Sequence, residues 1–493
     1  MRRHPHLYEI NTRVFLHRMS AKYGRHLTLA AIPDEEWKSI AGRGFDLVWL
    51  MGVWQRSPGA RRAALQNREL RRELDSALPG WKEGDVDGSP YAVYGYDLDD
   101  GLGDKAELAQ LKSKLNAIGL GLILDFVPNH LALDHPWTIS HPQRFVAGKA
   151  TDAWAHPGWF YQIDGGVYFA HGRDPNFPPW SDTVQVNFYS ADMREALTCE
   201  LQRIASVADG VRCDMAMLAV NRIFGDTWGK ITRETPPATE FWSEAIERVK
   251  HQRPDFQFLA EVYWGFEREL QHMGFDFTYD KPFYDRLRSS TPSDVRSHLL
   301  AGDLYQKRST RFIENHDEAR AVVAFGRERS LAAAAVIATV PGLRFFHDGQ
   351  LEGRRVRLPV QLVREPEEAD DAEIMQFYRQ LLSVCNEAVF HDGECKLVEV
   401  LRGNEHDEGY CNLLAWVWNM EARSTVVVVN FSEHRSRGWL EIQLPLGDGS
   451  AVAFRELMSG DTYTRDAGEL RTRGLHVDLG PWQVNILEMT AGQ

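Results

Sequence analysis

The 493-residue chain has few cysteines, no long apolar run and no excess of positive charge. Its five cysteines, at positions 199, 213, 385, 395 and 411, include no C-x-x-C pair. This spacing argues against both a disulfide framework and a zinc site, and is typical of reduced thiols in a cytosolic protein.

Acidic residues outnumber basic ones by 70 to 56, which gives a formal net charge of −14. Because nucleic-acid binding needs basic residues that neutralise phosphates, this charge argues against a nucleic-acid partner. The basic N-terminus lacks the apolar region of a signal peptide, and no apolar run approaches the roughly 20 residues of a transmembrane helix. We therefore expect a cytoplasmic protein without a membrane partner, and the oligomeric state stays open.

Short apolar segments alternate with amphipathic helices over the first 390 residues. The predicted strands lie at 7–16, 45–51, 120–127, 209–214, 256–262, 275–279, 310–313 and 343–346. Eight buried strands separated by helices predict a (β/α)8 TIM barrel, of the α/β class, rather than an open sheet.

Two further segments depart from the alternating pattern. Residues 131–188 are rich in aromatic side chains and have no clear period, which predicts an irregular subdomain B inserted after the third strand. From about residue 391 only strand-like segments follow, one of them at 440–444, and they predict a C-terminal all-β sandwich. The expected domains are therefore a barrel at 1–130 and 189–390, subdomain B at 131–188 and a β-sandwich at 391–493.

An insertion follows the second strand. Leucine spacing predicts an exposed amphipathic helix at 60–78, and residues 89–103 read as a turn-rich loop. The insertion at 58–90 has two interpretations, a surface decoration or a wall or lid of a binding cleft. Gly101-x-Gly103 resembles a dinucleotide fingerprint only loosely, because no apolar strand precedes it, so we expect no nucleotide cofactor.

Carboxyl groups follow three of the predicted strands. Arg212 and Asp214 are two residues apart at the end of the fourth strand, so they face the same side. The arginine should lower the pKa of Asp214 and keep it ionised, whereas the apolar surroundings of Glu261 after the fifth strand favour its protonated form. An ionised acid facing a protonated one is the pair that cleaves a glycosidic bond.

A third acid, Asp317, follows the seventh strand beside His316, and His130 follows the third strand. Side chains at the carboxyl ends of barrel strands converge on one mouth, so we expect all three acids to meet there. Each acid alone is equally well explained by a salt bridge, but the three together favour catalysis.

Four motifs resemble the signatures of the α-amylase family of glycoside hydrolases and transglycosylases. They are D-x-x-x-N-H at 125–130, G-x-R-x-D at 210–214, the glutamate at 261 that ends a strand, and F-x-x-N-H-D at 312–317. The resemblance implies that Asp214 is the nucleophile, that Glu261 is the general acid and then base, and that Asp317 binds sugar hydroxyls.

The resemblance also implies that His130, Arg212 and His316 line the subsite of the cleaved sugar and that Tyr91 stacks on it. It implies net retention, with a gap of about 5–5.5 Å between the Asp214 and Glu261 carboxyls. The primary hypothesis is hydrolysis of α-glucosidic bonds in oligosaccharides or small α-glucosides. A transglycosylase, phosphorylase or isomerase on the same scaffold is the alternative, and a non-catalytic scaffold or binding protein is a third class.

The chain departs from the family pattern after the nucleophile. Members often have lysine and histidine at the third and fourth following positions, where this chain has Met217 and Leu218. The difference argues against endo-hydrolysis of starch and weakens the case for calcium, for which Asn129 would supply one oxygen. We expect no metal or other cofactor, with calcium as the alternative; the exact substrate and linkage stay open.

Overall fold

The computed structural model describes residues 1–163, 166–403, 407–421, 423–442 and 451–491. Eight parallel strands close into a barrel, each paired with its neighbours in chain order and β8 paired with β1. They are β1 His6–Asn11, β2 Leu47–Met51, β3 Gly121–Phe126, β4 Gly210–Cys213, β5 Gln257–Ala260, β6 Phe277–Tyr279, β7 Ser309–Arg311 and β8 Leu343–His347. The predicted TIM barrel is confirmed.

Helices lie in the connections between the strands, and two of them, Pro58–Gln66 and Arg68–Ala77, belong to the insertion after β2. The helices span Thr12–Tyr23, Asp34–Gly42, Pro58–Gln66, Arg68–Ala77, Lys105–Ala117, Ala191–Val207, Asn221–Thr232, Phe241–Gln252, Glu267–His272, Lys281–Ser289, Pro292–Leu299, Asp303–Lys307, Ala321–Ala324, Arg327–Thr339, Ala372–Cys385 and Ala388–Asp392. Within the described parts of the chain, no helix has the length and apolar character needed to cross a membrane.

The near-continuous apolar runs of the sequence form the barrel strands. Every residue of β2 and of β8 is buried, as expected for parallel strands covered by helices on one side and by the barrel interior on the other. The first predicted strand was too long, because β1 ends at Asn11. The Asn11 side chain accepts a hydrogen bond from the Val14 amide and begins the helix that follows.

The insertion after β2 also differs from its prediction. The single helix expected at 60–78 is two helices, because Asn67 accepts hydrogen bonds from the Glu69 and Leu70 amides and caps the second one. The loop expected at 89–103 contains the strand Val93–Leu98, which pairs with Trp54–Arg56. Local capping and pairing therefore override the leucine spacing on which the helix prediction rested.

The residues between β3 and Ala191–Val207 form the irregular subdomain that the lack of periodicity predicts. Two short strands, His130–Ala132 and Thr183–Gln185, pair at its base. A small sheet contains Ala147–Gly148, Phe160–Gln162 and Tyr168–Ala170. The subdomain also has two short helices, Trp137–Ser140 and Ala150–Ala155. Phe169 and Val184 are fully buried and belong to the same apolar cluster as the barrel core, so the subdomain packs directly on the barrel.

The C-terminal residues form two antiparallel sheets, which confirms the predicted all-β sandwich. One contains Glu394–Leu397, Leu413–Met420, Arg423–Asn430, Val484–Ala491, Ala451–Glu456 and Thr462–Asp466, and the other Val400–Leu401, Ser436–Leu440 and Leu475–Leu479. The strand predicted at 440–444 is instead Ser436–Leu440, and positions 443 and 444 lie outside the described residues. A helix, Ala467–Arg473, was not predicted.

Two buried tryptophans attach the sandwich to the barrel. The indole nitrogens of Trp416 and Trp418 both donate to the carbonyl oxygen of Thr339, at 3.0 and 2.6 Å. Thr339 is the last residue of the helix before β8, so both bonds satisfy a carbonyl that the helix end leaves free. The sandwich is therefore fixed to the outside of the barrel, at the end remote from the strand termini that bear Asp214 and Glu261.

Three histidines are buried between the barrel and the sandwich. His4, His6 and His391 are each at most 1% exposed, and the rings of His6 and His391 lie 4.8 Å apart. Burial, followed by the charge of Arg344, lowers the pKa of His4 to about 2, that of His391 to about 3 and that of His6 well below its ordinary value. All three are therefore neutral in the folded protein at neutral pH.

These histidines should make the fold sensitive to acid. The folded state binds fewer protons than the unfolded one. Each neutral histidine therefore stabilises the fold above pH 6.5, and this stabilisation is lost as the pH falls below 6.5. We expect the free energy of unfolding to decrease by about 1–2 kcal/mol per histidine between pH 7 and pH 5. Denaturant titrations should show a weaker pH dependence for His391→Gln than for the wild type. His434 is exposed, so His434→Gln is the control. An equal pH dependence of the free energy of unfolding in the wild type and both variants would contradict the role assigned to the buried histidines.

Candidate active site

The carboxyl ends of the strands bring the predicted acids together at one mouth. Asp214 directly follows β4 and Glu261 directly follows β5, and their amides continue the barrel ladder, donating to Phe126 and Cys213 carbonyls at 2.9 and 3.0 Å. Both acids are therefore fixed by strand pairing and not by flexible loops. Asp317 lies six residues beyond β7, on the loop that also holds His316.

Arg212 joins the first two acids. Its side chain is fully buried, and its two terminal nitrogens lie 2.6 Å from Asp214 Oδ1 and 2.8 Å from Glu261 Oε2. One guanidinium group therefore contacts both carboxyls, which places them side by side. The rings of Trp49, Tyr91 and Tyr279 surround the cation at 5.2, 5.2 and 5.8 Å.

Burial raises the pKa of both acids. It raises the pKa of Glu261 to about 7, with Arg212 opposing this effect and Asp214 adding to it. It also raises the pKa of Asp214, although Arg212 acts in the opposite direction. The sequence prediction that the pKa of Asp214 is lowered was therefore wrong. The effect of burial, which removes water from the carboxyl, outweighs the effect of the neighbouring cation. The prediction that Glu261 favours its protonated form agrees with this raised value.

Two further donors hold the Glu261 side chain in place. The Met215 amide donates to Oε2 at 2.7 Å and the Tyr263 hydroxyl to Oε1 at 2.8 Å. Met215 has the left-handed backbone conformation, with φ of 43°, which turns its amide toward the site. Tyr263 belongs to the apolar surroundings of Glu261 in the sequence, so its hydrogen bond becomes visible only in the folded protein.

Asp317 belongs to a chain of charges that starts inside the barrel. The fully buried Glu9 of β1 accepts a hydrogen bond from His316 Nδ1 at 2.5 Å, and His316 Nε2 lies 3.1 Å from Asp317 Oδ2. Burial alone would lower the pKa of His316, but the two flanking carboxylates raise it well above its ordinary value. The imidazole is therefore a cation held between two anions.

The same cation fixes the charge of Asp317. Desolvation would raise the pKa of this acid, but His316 and then Arg212 outweigh it and lower the pKa to about 2. Its side chain is half exposed, whereas those of Asp214 and Glu261 are buried. Asp317 is thus the ionised and accessible member of the three.

Tyr91 lies against the same histidine. Its ring stacks on that of His316 with centroids 5.4 Å apart, and its hydroxyl lies 2.7 Å from His316 Nε2. His130 is buried beneath the inserted subdomain, beside the Trp180 ring at 4.8 Å. Burial lowers the pKa of His130 to about 3, and a contact with the Tyr91 main chain opposes this. The structure therefore brings every predicted site residue to the mouth, with His130 at its edge.

Asn129, the calcium ligand that the sequence suggests, is engaged in a hydrogen bond within the protein. Its amide oxygen already accepts a hydrogen bond from Gln185 Nε2 at 3.0 Å. Among the described residues, no three or more His, Cys, Asp or Glu side chains are arranged to hold a metal ion. A hard cation such as calcium binds through several oxygen ligands that are free to coordinate it.

Glu9 is the main residue that sequence reasoning missed. It stands between tyrosine and isoleucine in the apolar segment at 7–10, where a charged side chain is unusual for a strand buried on both faces. A charged residue inside an apolar strand segment was the sign in the sequence that Glu9 has a specific partner. Its partner lies 307 residues away, so the pairing itself is visible only in the folded protein.

Comparison with known proteins identifies the family of the chain. The model for "Alpha amylase, catalytic domain" matches residues 85–383. Alpha-amylase MalA of Haloarcula japonica is 26% identical over 399 residues, which are 77% of this chain and 52% of that protein. An alpha-1,4-glucan:maltose-1-phosphate maltosyltransferase of Cereibacter sphaeroides is 30% identical over 208 residues, 40% of this chain and 28% of that one.

Among solved structures, the maltogenic alpha-amylase AmyB of Thermotoga neapolitana has the same fold. Its TM-score is 0.70 at 18% identity, and the match covers 99% of this chain and 98% of that one. The chain spans about half the length of MalA and about a quarter of the maltosyltransferase. Because the family model covers more than half of the residues, the chain belongs to the α-amylase family.

The contact between Glu9 and His316 can be tested by NMR of ¹⁵N-labelled histidines. In the wild type we expect both His316 ring nitrogens to stay protonated through pH 8, because carboxylates flank them. Glu9→Gln removes one of these charges and should lower the His316 pKa by about one unit or more. Glu352→Gln, in the loop after β8, is the control and should leave it unchanged. An unaltered His316 titration in Glu9→Gln would contradict the contact.

Proposed function

We propose that the protein is a retaining enzyme that cleaves α-glucosidic bonds of oligosaccharides or small α-glucosides. The observation that supports this most strongly is the contact of Arg212 with both Asp214 and Glu261. It places two carboxyls on one side of a site where one of them has a pKa near neutrality. That pairing is the requirement of a two-step glycosyl transfer.

In the first step Asp214 attacks the anomeric carbon while Glu261 gives its proton to the leaving oxygen. The bond from C1 to the leaving oxygen breaks, a bond from C1 to Asp214 forms, and the leaving group departs as an alcohol. In the second step the Glu261 carboxylate takes a proton from water, whose oxygen attacks C1 and releases Asp214. The sugar leaves with its original anomeric configuration.

Asp317 has a different part in this proposal. It is ionised and half exposed, so it accepts hydrogen bonds from the hydroxyls of the sugar without exchanging a proton. Positive charge develops on the ring in the transition state, and a fixed carboxylate stabilises this charge more strongly than it stabilises the ground state. The His316 and Glu9 pair keeps that carboxylate in position.

Transfer to another acceptor is the alternative outcome of the second step. Met217 and Leu218, which stand where other members have lysine and histidine, are at most 3% exposed and present no polar group to an acceptor. A relative described as a maltosyltransferase shares 30% identity over part of the chain. Both outcomes use the same glycosyl-enzyme, and we propose hydrolysis as the main one. We also propose a cytoplasmic location and no metal or cofactor.

A product assay tests the proposal. Starch, malto-oligosaccharides, sucrose, trehalose and 4-nitrophenyl α-glucoside are incubated with and without phosphate, and products are separated by chromatography. We expect Asp214→Asn to lower the rate by several orders of magnitude, because the two-step path needs the nucleophile. Asp192→Asn, at a surface ion pair with Arg144, is the matched control. Activity of Asp214→Asn within about tenfold of the wild type would overturn the assignment.

The pH dependence tests the role of Glu261 as the acid. Because this group must hold a proton, kcat/KM should fall as the pH rises through about 7, the pKa of Glu261. Tyr263→Phe removes a donor that stabilises the carboxylate, so the alkaline limb should move up by roughly half a unit to one unit.

The control for this substitution is Tyr189→Phe, whose hydroxyl donates to the Asn221 carbonyl away from the three acids. Its pH profile should match that of the wild type. A Tyr263→Phe profile that is unchanged or displaced to lower pH would show that the hydroxyl does not stabilise the ionised form of Glu261.

A further inference from the structure

Two segments from opposite sides of β1 meet beside the mouth. One is the insertion after β2, residues 58–90, and the other follows β8, residues 353–364; we call them together the β1-side wall. They share an apolar cluster separate from the barrel core, in which Leu74, Val86 and Leu362 are at most 2% exposed. The insertion therefore packs on a partner segment and is not an isolated surface decoration.

Polar contacts fix the two halves of the wall to each other. Arg364 donates to both carboxylate oxygens of Asp85, at 2.7 and 2.9 Å. The Val363 amide donates to the Asp85 carbonyl at 3.0 Å, and the Asp87 amide donates to the Gln361 carbonyl at 2.8 Å. A bidentate ion pair beside two main-chain bonds is a specific geometry, so the halves have one defined arrangement.

The wall reaches the active site at two points. The insertion ends at Pro90, so the next residue is Tyr91, which stacks on His316. From the other half, Arg357 donates to the Asp317 carbonyl at 3.3 Å and pairs with Glu73 of the insertion at 3.0 Å. Its charge also acts on the Asp317 carboxyl and helps to lower the pKa of that group.

The strand order shows which side of the substrate the wall faces. In a closed ring of eight strands β1 lies opposite β5, and the wall rises from the loops on either side of β1. Glu261 follows β5 and, as the acid, has to reach the leaving oxygen. The leaving group therefore extends toward β5, and the far end of the retained sugar points toward the wall.

From this placement we propose that the β1-side wall closes the site beyond one glucosyl residue. The substrates are then α-glucosides with a free non-reducing end, from which a single terminal glucosyl unit is released or transferred. A second sugar on that side would have to occupy the position of Arg357 and Glu73, beside the residue that binds the hydroxyls of the first. The inference rests on the proposed function, because Glu261 as the acid sets the direction of the leaving group.

Substrates with free and blocked chain ends test it. The wild type is given 4-nitrophenyl α-maltotrioside and the same compound with a 4,6-ethylidene group on its terminal sugar. We expect glucose as the first sugar released from the free compound. The kcat/KM for the blocked compound should be lower by about 100-fold or more, because its ethylidene group would have to occupy the position of Arg357 and Glu73.

The double variant Arg357→Ala with Glu73→Ala opens the wall and should reduce this discrimination by about tenfold or more. Leu74→Ala loosens the same wall through its apolar cluster and should act in the same direction. Arg435→Ala, an ion-pair substitution in the sandwich, is the matched control and should keep the discrimination of the wild type.

The outcomes separate the two proposals. If the wild type cleaves the blocked compound within about threefold of the free one, or releases maltose or longer glycones first, the wall proposal fails while the proposed chemistry stands. The wall proposal would also be overturned if both wall variants still discriminated against the blocked compound as strongly as the wild type does. Absence of cleavage or transfer with every α-glucoside would overturn the proposed function itself.

Discussion

The buried guanidinium of Arg212 is the contact on which the rest of the site depends. It lies in β4 with no exposed surface, contacts Asp214 and Glu261, and is enclosed by three aromatic rings. Removing such a cation from water is costly unless carboxylates compensate it, and two of them do so here. The same charge opposes the rise of both acid pKa values. Burial therefore brings the pKa of Glu261 to about 7 while a cation still lies beside both acids.

A second charge chain mirrors this arrangement on the other side of the mouth. Glu9 fixes His316 as a cation, and the cation keeps Asp317 ionised although the surrounding protein disfavours charge. Burial raises the pKa of Asp214 and of Glu261 against the charge of Arg212 that they share, whereas the imidazolium of His316 outweighs burial at Asp317. One fold thus holds a proton-bearing acid, Glu261, and an ionised acid, Asp317, within the same mouth.

Most of the fold and much of the site could be predicted from the sequence. Apolar runs identified the eight strands because buried parallel strands lack polar positions, and motif spacing placed Arg212, Asp214, Glu261 and Asp317 at strand ends. The missed features depend on contacts between distant residues or on local caps. Asn67 divides a helix whose leucine pattern appears continuous, and Glu9 meets a histidine 307 positions later. The net direction of the Asp214 pKa was missed because burial of a side chain is not visible in a two-residue spacing.

The central claim is that Asp214 forms a covalent bond to the sugar, while Glu261 donates a proton in the first step and accepts one in the second. The most direct measurement is mass spectrometry of the protein after incubation with 5-fluoro-α-glucosyl fluoride, which forms the glycosyl-enzyme faster than water removes it. The account predicts a mass increase of one fluoroglucosyl residue, located by peptide mapping on Asp214. An adduct on Glu261, on Asp317 or on another residue, or turnover of the reagent without any adduct, would contradict it.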